Sequence, residues 1–168
     1  MEHDNDPSIL VSRMLSEFPY LPSPQHVIDI ALDLAKPRAN DIFADLGCGD
    51  GAVLIRAAER FSVFSVGFEI DGGLASAARE NAKTAGVGRL VDVVRADLFT
   101  VDVSKFDVVY VYPFPLVIRR LSEKIAEECR KGSRILTHDI PLEHLRPTKA
   151  LHVPDGALHT HTVYLYKT

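Results

Sequence analysis

The stretch Ala44-Asp45-Leu46-Gly47-Cys48-Gly49-Asp50-Gly51 decides the fold. An apolar run (Ile42, Phe43, Ala44) enters it and a helical pattern (Val53, Leu54, Ala57, Ala58) leaves it, so it reads as a strand turning into a helix. Three glycines at alternate positions let the backbone turn sharply and approach a ligand closely. A phosphate cradle is built from backbone N–H groups and cations, so the two acids speak against a bare phosphate. Asp45 and Asp50 suit a ligand that carries positive charge.

Outward from this turn, strand and helix patterns alternate. Strand 42–46 leads to helix 51–61, strand 63–69 to helix 73–85 closed by Gly86, and strand 91–95 to a short turn through Ala96-Asp97-Leu98-Phe99. Strand 107–112 leads to helix 116–130, stopped by Gly132, and strand 133–138 follows. Such alternation implies an α/β fold, a mostly parallel sheet with helices on both faces. The end differs: runs 148–153 and 158–166 are joined by Pro154-Asp155-Gly156 with no helix between them, which predicts an antiparallel hairpin. At the start, residues 1–7 read as frayed, and Ser8 as the cap of a short helix carrying Ile9, Leu10, Met14 and Leu15. Pro19, Pro22 and Pro24 force an extended segment, with Ser23 as N-cap and Pro24 at the first turn of a helix that ends near Lys36-Pro37. The expected organisation is one domain over 1–168, with a helical segment 1–37 capping the site and a core over 42–168.

Composition narrows the function class. The chain of 168 residues is 46% apolar and 25% charged, ordinary values for a globular protein with a proper core. A net charge of −4 supplies no dedicated nucleic-acid surface, since phosphate contacts need clustered Lys and Arg. Cys48 and Cys129 match no metal spacing and no disulfide framework, so two free thiols and a cytoplasmic location are expected. No apolar run approaches the ~20 residues of a membrane span. A monomer is the default.

Ligands of open α/β sheets bind at the carboxyl ends of the strands, where strand order reverses. Strand one ends at Asp45 and the glycine loop, strand two at Glu69, strand three at Asp97, and strand four at Tyr110, Tyr112 and Pro113. Glu69 is placed to accept ribose hydroxyls, and Asp97 to accept from an adenine amino group. Each acid has a plain alternative: Asp45, Asp50 or Asp97 could cap a helix, and Glu69 could belong to a solvated turn. The joint arrangement of acids at three successive strand ends is the informative feature. Gly47-x-Gly49-x-x-Ala52 also fits the permissive dinucleotide pattern, but Asp45 would repel a pyrophosphate, and a separate substrate domain is not expected after the hairpin. The acids point instead to S-adenosylmethionine, which carries an ammonium and a sulfonium.

Asp45-Leu46-Gly47-Cys48-Gly49-Asp50-Gly51 followed by Gly67-Phe68-Glu69-Ile70-Asp71 is similar to the cofactor motifs of class I S-adenosylmethionine-dependent methyltransferases. Over nearly the whole chain the sequence resembles the small archaeal protein lysine methyltransferases that lack a SET domain, and their mitochondrial relatives. Pro19-Tyr20-Leu21-Pro22-Ser23-Pro24, Lys131-Gly132-Ser133-Arg134-Ile135-Leu136-Thr137-His138, and Asp155-Gly156 leading to His161-Thr162-Val163-Tyr164-Leu165-Tyr166 carry that resemblance. It implies a Rossmann-like, seven-stranded, mostly parallel sheet with a C-terminal antiparallel hairpin. It also implies a protein substrate methylated on lysine, with Tyr20 and Ser23 folding over the methionine part of the cofactor. Asp45, Gly47 and Gly49 would hold that part, and Ile70 and Leu98, next to Glu69 and Asp97, complete the expected cofactor set. An aromatic face beside a sulfonium is worth ~1 kcal/mol or more.

The run Tyr110-Val111-Tyr112-Pro113-Phe114-Pro115 departs from this pattern. It is similar to the Asn/Asp-Pro-Pro-Tyr motif of enzymes that methylate planar amino groups, but Tyr112 stands where the acceptor Asn or Asp would be. Tyr110, Tyr112 and Phe114 are therefore expected to line a narrow channel for the substrate amine, with no obligate side-chain base. His138 and Asp139 end strand five facing the same crevice, where a His could handle the proton or could simply be a strand-end histidine bonded to backbone. His159 and His161 alternate on the last strand and read as one face of a half-exposed strand, so no metal is expected. Two alternatives stay open: a small-molecule or RNA methyltransferase on the same fold, and a non-catalytic protein that binds S-adenosylmethionine.

Overall fold

The computed structural model describes residues 20–168. The expected frayed start and the short helix capped by Ser8 lie outside the described residues. Seven strands form one sheet: β1 (Ile42–Leu46), β2 (Phe64–Glu69), β3 (Val91–Arg95), β4 (Val108–Val111), β5 (Arg134–His138), β6 (Lys149–Asp155) and β7 (His159–Lys167). Their order is β3-β2-β1-β4-β5-β7-β6. The first five strands run parallel, and β7 inserts antiparallel between β5 and β6. The α-helices among the described residues are α1 (Gln25–Ala35), α2 (Ala52–Phe61), α3 (Gly72–Thr84) and α4 (Ile118–Glu128).

The apolar spacing that predicts each helix also sets which face it buries. Val27, Ile28, Ala31 and Leu32 of α1, Val53, Leu54 and Ala57 of α2, and Ala75 and Ala78 of α3 pack on one side of the sheet with Phe43, Tyr110 and Leu136. Ile118, Leu121 and Ile125 of α4 pack on the other side with Ala44, Val109, Val111 and Ile135. Alternation along each strand therefore sends successive residues into two separate cores. Both faces of β4 are covered, so all four of its residues are buried. The end of α1 is tied down by Arg134, which pairs with Asp41 at 2.5 Å and donates to the carbonyls of Ala35 and Lys36.

Three local expectations are corrected. Pro154 and Asp155 belong to β6, paired with Thr160 and His159, and the hairpin loop is 156–158 with Gly156 at φ 72°. A proline is tolerated there because β6 is the edge of the sheet. Ser23 does not cap α1: the residue before the helix is Pro24, which makes no side-chain cap bond. Finally, the helix expected over 116–130 begins with a 3-10 turn, Pro115–Val117, and its α-helical part is only Ile118–Glu128.

Candidate active site

Because β1 to β5 are parallel, their carboxyl ends open on one edge, and the order reverses between β1 and β4. A cleft of about 500 Å³ lies there, within the range typical of small-molecule sites. Tyr20, Gly47, Glu69, Ile70, Asp97 and Leu98 line one part of it. Tyr112, Pro113, Phe114 and Asp139 line another. The fold thus brings six of the nine expected cofactor residues and two of the three expected channel residues to one cavity.

Glu69, at the end of β2, is buried and holds the site together. Its Oε2 accepts the Gly49 N–H at 2.8 Å and its Oε1 accepts the Asp71 N–H at 2.9 Å. One carboxylate thus clamps the glycine loop to the turn before α3. The loop needs its glycines, since residues 47, 49 and 51 all have positive φ (85°, 54° and 85°). Gly49 additionally lies under the Tyr20 ring: a Cβ there would stand 2.1 Å from it. The Tyr20 hydroxyl donates to Asp50 Oδ1 at 2.7 Å, and the same oxygen accepts the Ala52 N–H at 3.2 Å. Tyr20 is therefore folded onto the glycine loop, and Asp50 also serves α2. Asp97 caps the 3-10 turn Leu98–Thr100 through the Phe99 N–H at 2.9 Å, while still lining the cleft.

Ser23, Asp45 and Gly49 do not line the cleft, and neither does Tyr110. Tyr110 lies inside β4 under α1 and is 2% exposed, whereas Tyr112 follows the last strand residue and reaches the cavity. Asp45 is 2% exposed. Burial, reinforced by the negative charges of Glu69 and Asp50, pushes its carboxyl well above the usual carboxylate range. The folded state thus holds the proton more tightly than the unfolded chain does. Its stability contribution is full below the unfolded pKa and falls away as pH rises toward the folded one. Asn, neutral throughout, escapes this loss. Asp45→Asn should therefore melt higher than the parent chain at pH 7–8, with the gain shrinking toward pH 4. Melting curves across that range check it, and an equal gain at both ends would refute the assignment.

Beside the cleft runs a polar network that sequence reading found only in part. The Ser23 hydroxyl, the Tyr110 hydroxyl and His138 Nδ1 lie 3.1 Å from one another. His138 Nε2 is 2.9 Å from His161 Nδ1, which is 2.9 Å from Asp139 Oδ2. Asp139 also accepts from the Tyr112 hydroxyl at 2.8 Å and from the Thr162 N–H at 2.9 Å. Burial lowers the His138 pKa to about 4, so this ring is neutral at pH 7. Burial also pushes Asp139 upward, but the bonds from Thr162, His161 and Tyr112 outweigh it and hold the carboxyl below its usual range. Burial and then the bond to Asp139 push the Tyr112 phenol up to about 12.

His138 was expected to face the crevice. Instead it is fully buried and stacks on Tyr112 at 3.9 Å between ring centres, and only its neighbour faces the cavity. The reason is backbone geometry: Asp139 has a φ of 63°, which ends the strand and turns its carboxylate into the cleft. His161 is likewise buried rather than half-exposed, while His159 is exposed. The signal for Asp139 was its place at a strand end. Nothing local signals the partnership between β5 and β7.

The cleft fits the expected ligand class. Acids at the strand ends can accept from hydroxyl and amino groups, Ile70 and Leu98 give apolar walls, and space over Gly47 is open where a Cβ would stand. Among the described residues the arrangement has the acceptors and negative charge for S-adenosylmethionine and lacks the cation set of a pyrophosphate site. With this sheet order it defines a Rossmann-like, S-adenosylmethionine-dependent methyltransferase.

More narrowly, the chain belongs to the family of the ANTKMT methyltransferase domain, whose model matches residues 45–149. It is 36% identical to a protein-lysine N-methyltransferase of Saccharolobus islandicus (strain REY15A), over 88% of this chain and 92% of that one. It is 28% identical to the adenine nucleotide translocase lysine N-methyltransferase of Mus musculus, over 78% of this chain and 57% of the relative. A crystal structure of an RNA methyltransferase from Salinibacter ruber, in complex with S-adenosyl-L-homocysteine, is 37% identical. It superposes with a TM-score of 0.81 over 88% of this chain and 93% of that one.

Proposed function

We propose that this methyltransferase acts on lysine side chains of proteins. The observation that carries the reading is the second part of the cleft, where the Tyr112–Asp139 pair sits beside apolar Pro113, Phe114 and Val117. An aliphatic chain ending in an amine matches such walls, whereas a planar base would need the amide or acid that Tyr112 replaces. The Saccharolobus and mouse relatives, both lysine methyltransferases by name, support it.

Bound S-adenosylmethionine supplies an electrophilic methyl group on a positively charged sulfur. On the proposed reading, Glu69 and Asp97 bind its ribose and adenine, Gly47 and the Tyr20 ring hold its methionine part, and Ile70 and Leu98 flank it. Asp45, Gly49 and Ser23 act from behind the cleft surface, by shaping the loop and the Tyr20 segment. Lysine must be neutral to attack, and removing its proton at pH 7 costs roughly 4–5 kcal/mol. The apolar walls favour the neutral amine by excluding water. Asp139 and Tyr112 orient it, and the proton leaves to water at the cleft mouth. Positioning of this kind accounts for much of the rate in a direct displacement.

The Salinibacter structure, described as an RNA methyltransferase, favours a second reading on which the acceptor is RNA. Labelled S-adenosylmethionine incubated with the chain and cell lysate separates the two. The expected result is label in protein that resists nuclease and maps to lysine. Label lost on nuclease treatment would replace lysine by RNA, and binding without transfer would make the protein non-catalytic.

A further inference from the structure

We propose that His138, Asp139 and His161 form a binding site for one divalent first-row transition-metal ion. Two imidazoles and one carboxylate are a common ligand set for such ions. The three ligand atoms are His138 Nε2, His161 Nδ1 and Asp139 Oδ2, all within 4.8 Å of one another. They are separated by 2.9, 2.9 and 3.6 Å. The corners of that triangle lie about 1.9 Å from its centre, slightly less than a metal bond of about 2.0–2.2 Å to N or O. One ion just above its plane therefore lies within bonding distance of all three atoms.

The outer partners support the assignment independently. A metal-ligating histidine gives its other N–H to an oxygen, which fixes the tautomer. His138 Nδ1 faces the hydroxyls of Ser23 and Tyr110, which leaves the Nε2 lone pair for the ion. His161 Nε2 faces Asp155 Oδ2 at 3.5 Å, which leaves Nδ1 for it. Asp139 is oriented by the Tyr112 hydroxyl and the Thr162 N–H.

His159 and His161, which alternate along the last strand, give no metal ligand set by their spacing. The fold brings different partners, both from the end of β5. Three protein ligands leave a further position for water. Since Asp139 also lines the cleft, an ion here fastens β5 to β7 and fixes one wall of the cavity.

The test uses the full chain, stripped with a chelator and titrated with ZnCl₂ or CoCl₂. One equivalent of Zn²⁺ should bind and raise the melting temperature, and Co²⁺ should give a saturable visible spectrum. His161→Ala and Asp139→Asn should each weaken Zn²⁺ binding by at least about tenfold, the lower end of what losing even an outer partner costs. His159→Ala removes an exposed ring that only packs edge-on against His161, so it should weaken binding far less than either ligand variant. No saturable Zn²⁺ binding and no Co²⁺ spectrum in the parent chain would overturn the proposal. So would equal loss in the His159 variant, which would mark an adventitious surface site. If His161→Ala does not fold, Asp139→Asn, whose side chain is 26% exposed, carries the comparison.

Discussion

Replacing Glu69 by alanine should lower the affinity for S-adenosylmethionine by roughly two to three orders of magnitude, the conversion of about 3–4 kcal/mol in lost charge-assisted hydrogen bonds. A carboxylate offers about four acceptor sites. Two hold the Gly49 and Asp71 N–H groups, which leaves two for ligand hydroxyls. Alanine removes the ligand contacts and also unclamps the glycine loop, so the remaining site is less well organised. It also costs about 2 kcal/mol of stability, because two backbone donors lose their acceptor while the cleft lets water replace part of the bonding. Glu69→Gln should fall between the two, since its NH₂ group must face one backbone N–H. Calorimetric titration measures the affinities. Affinity within threefold of the parent chain would remove Glu69 from the cofactor site.

Gly67→Ala should destabilise the fold by about 2 kcal/mol, or about 4–8 °C in melting temperature. Gly67 lies in β2 opposite Asp45 of β1. A Cβ there would stand 2.4 Å from Leu54 Cδ1 and 2.5 Å from Cys48 Sγ. Leu54 is fully buried in α2 and Cys48 sits in the glycine loop, so neither can retreat without moving the site. This makes a specific demand on a double-mutant cycle. Cys48→Ala removes the Sγ overlap, so the two changes together should cost less than their sum by at least about 0.5 kcal/mol. Strict additivity would show that the strain is borne elsewhere, and loss of cofactor affinity in Gly67→Ala alone would trace it to the loop.

Much of this was legible because it is local. A strand is read from a run of four to six apolar residues, and its carboxyl end follows at once, so Glu69, Asp97 and Tyr112 could be assigned to one edge without coordinates. Tyr110 shows where that reasoning stops. It lies two residues before Tyr112, and only the position of the strand end and the cover of α1 separate a core ring from a cleft ring. Ser23 shows it again: the Ser-Pro pair matches a helix cap, yet a hydroxyl and an imidazole 87 and 115 positions away hold its side chain instead.

The amino-acid sequence by itself determined the alternating α/β architecture, the glycine loop and the row of acids at successive strand ends. Each depends on spacing within a few residues, which dihedral preference and hydrophobic burial convert directly into structure. Only the tertiary structure decided that Tyr20 covers Gly49 and that His138, Asp139 and His161 meet beside the cleft. Those contacts depend on strand order and on the antiparallel register of β7 against β5, set by packing of the whole sheet rather than by any local stretch.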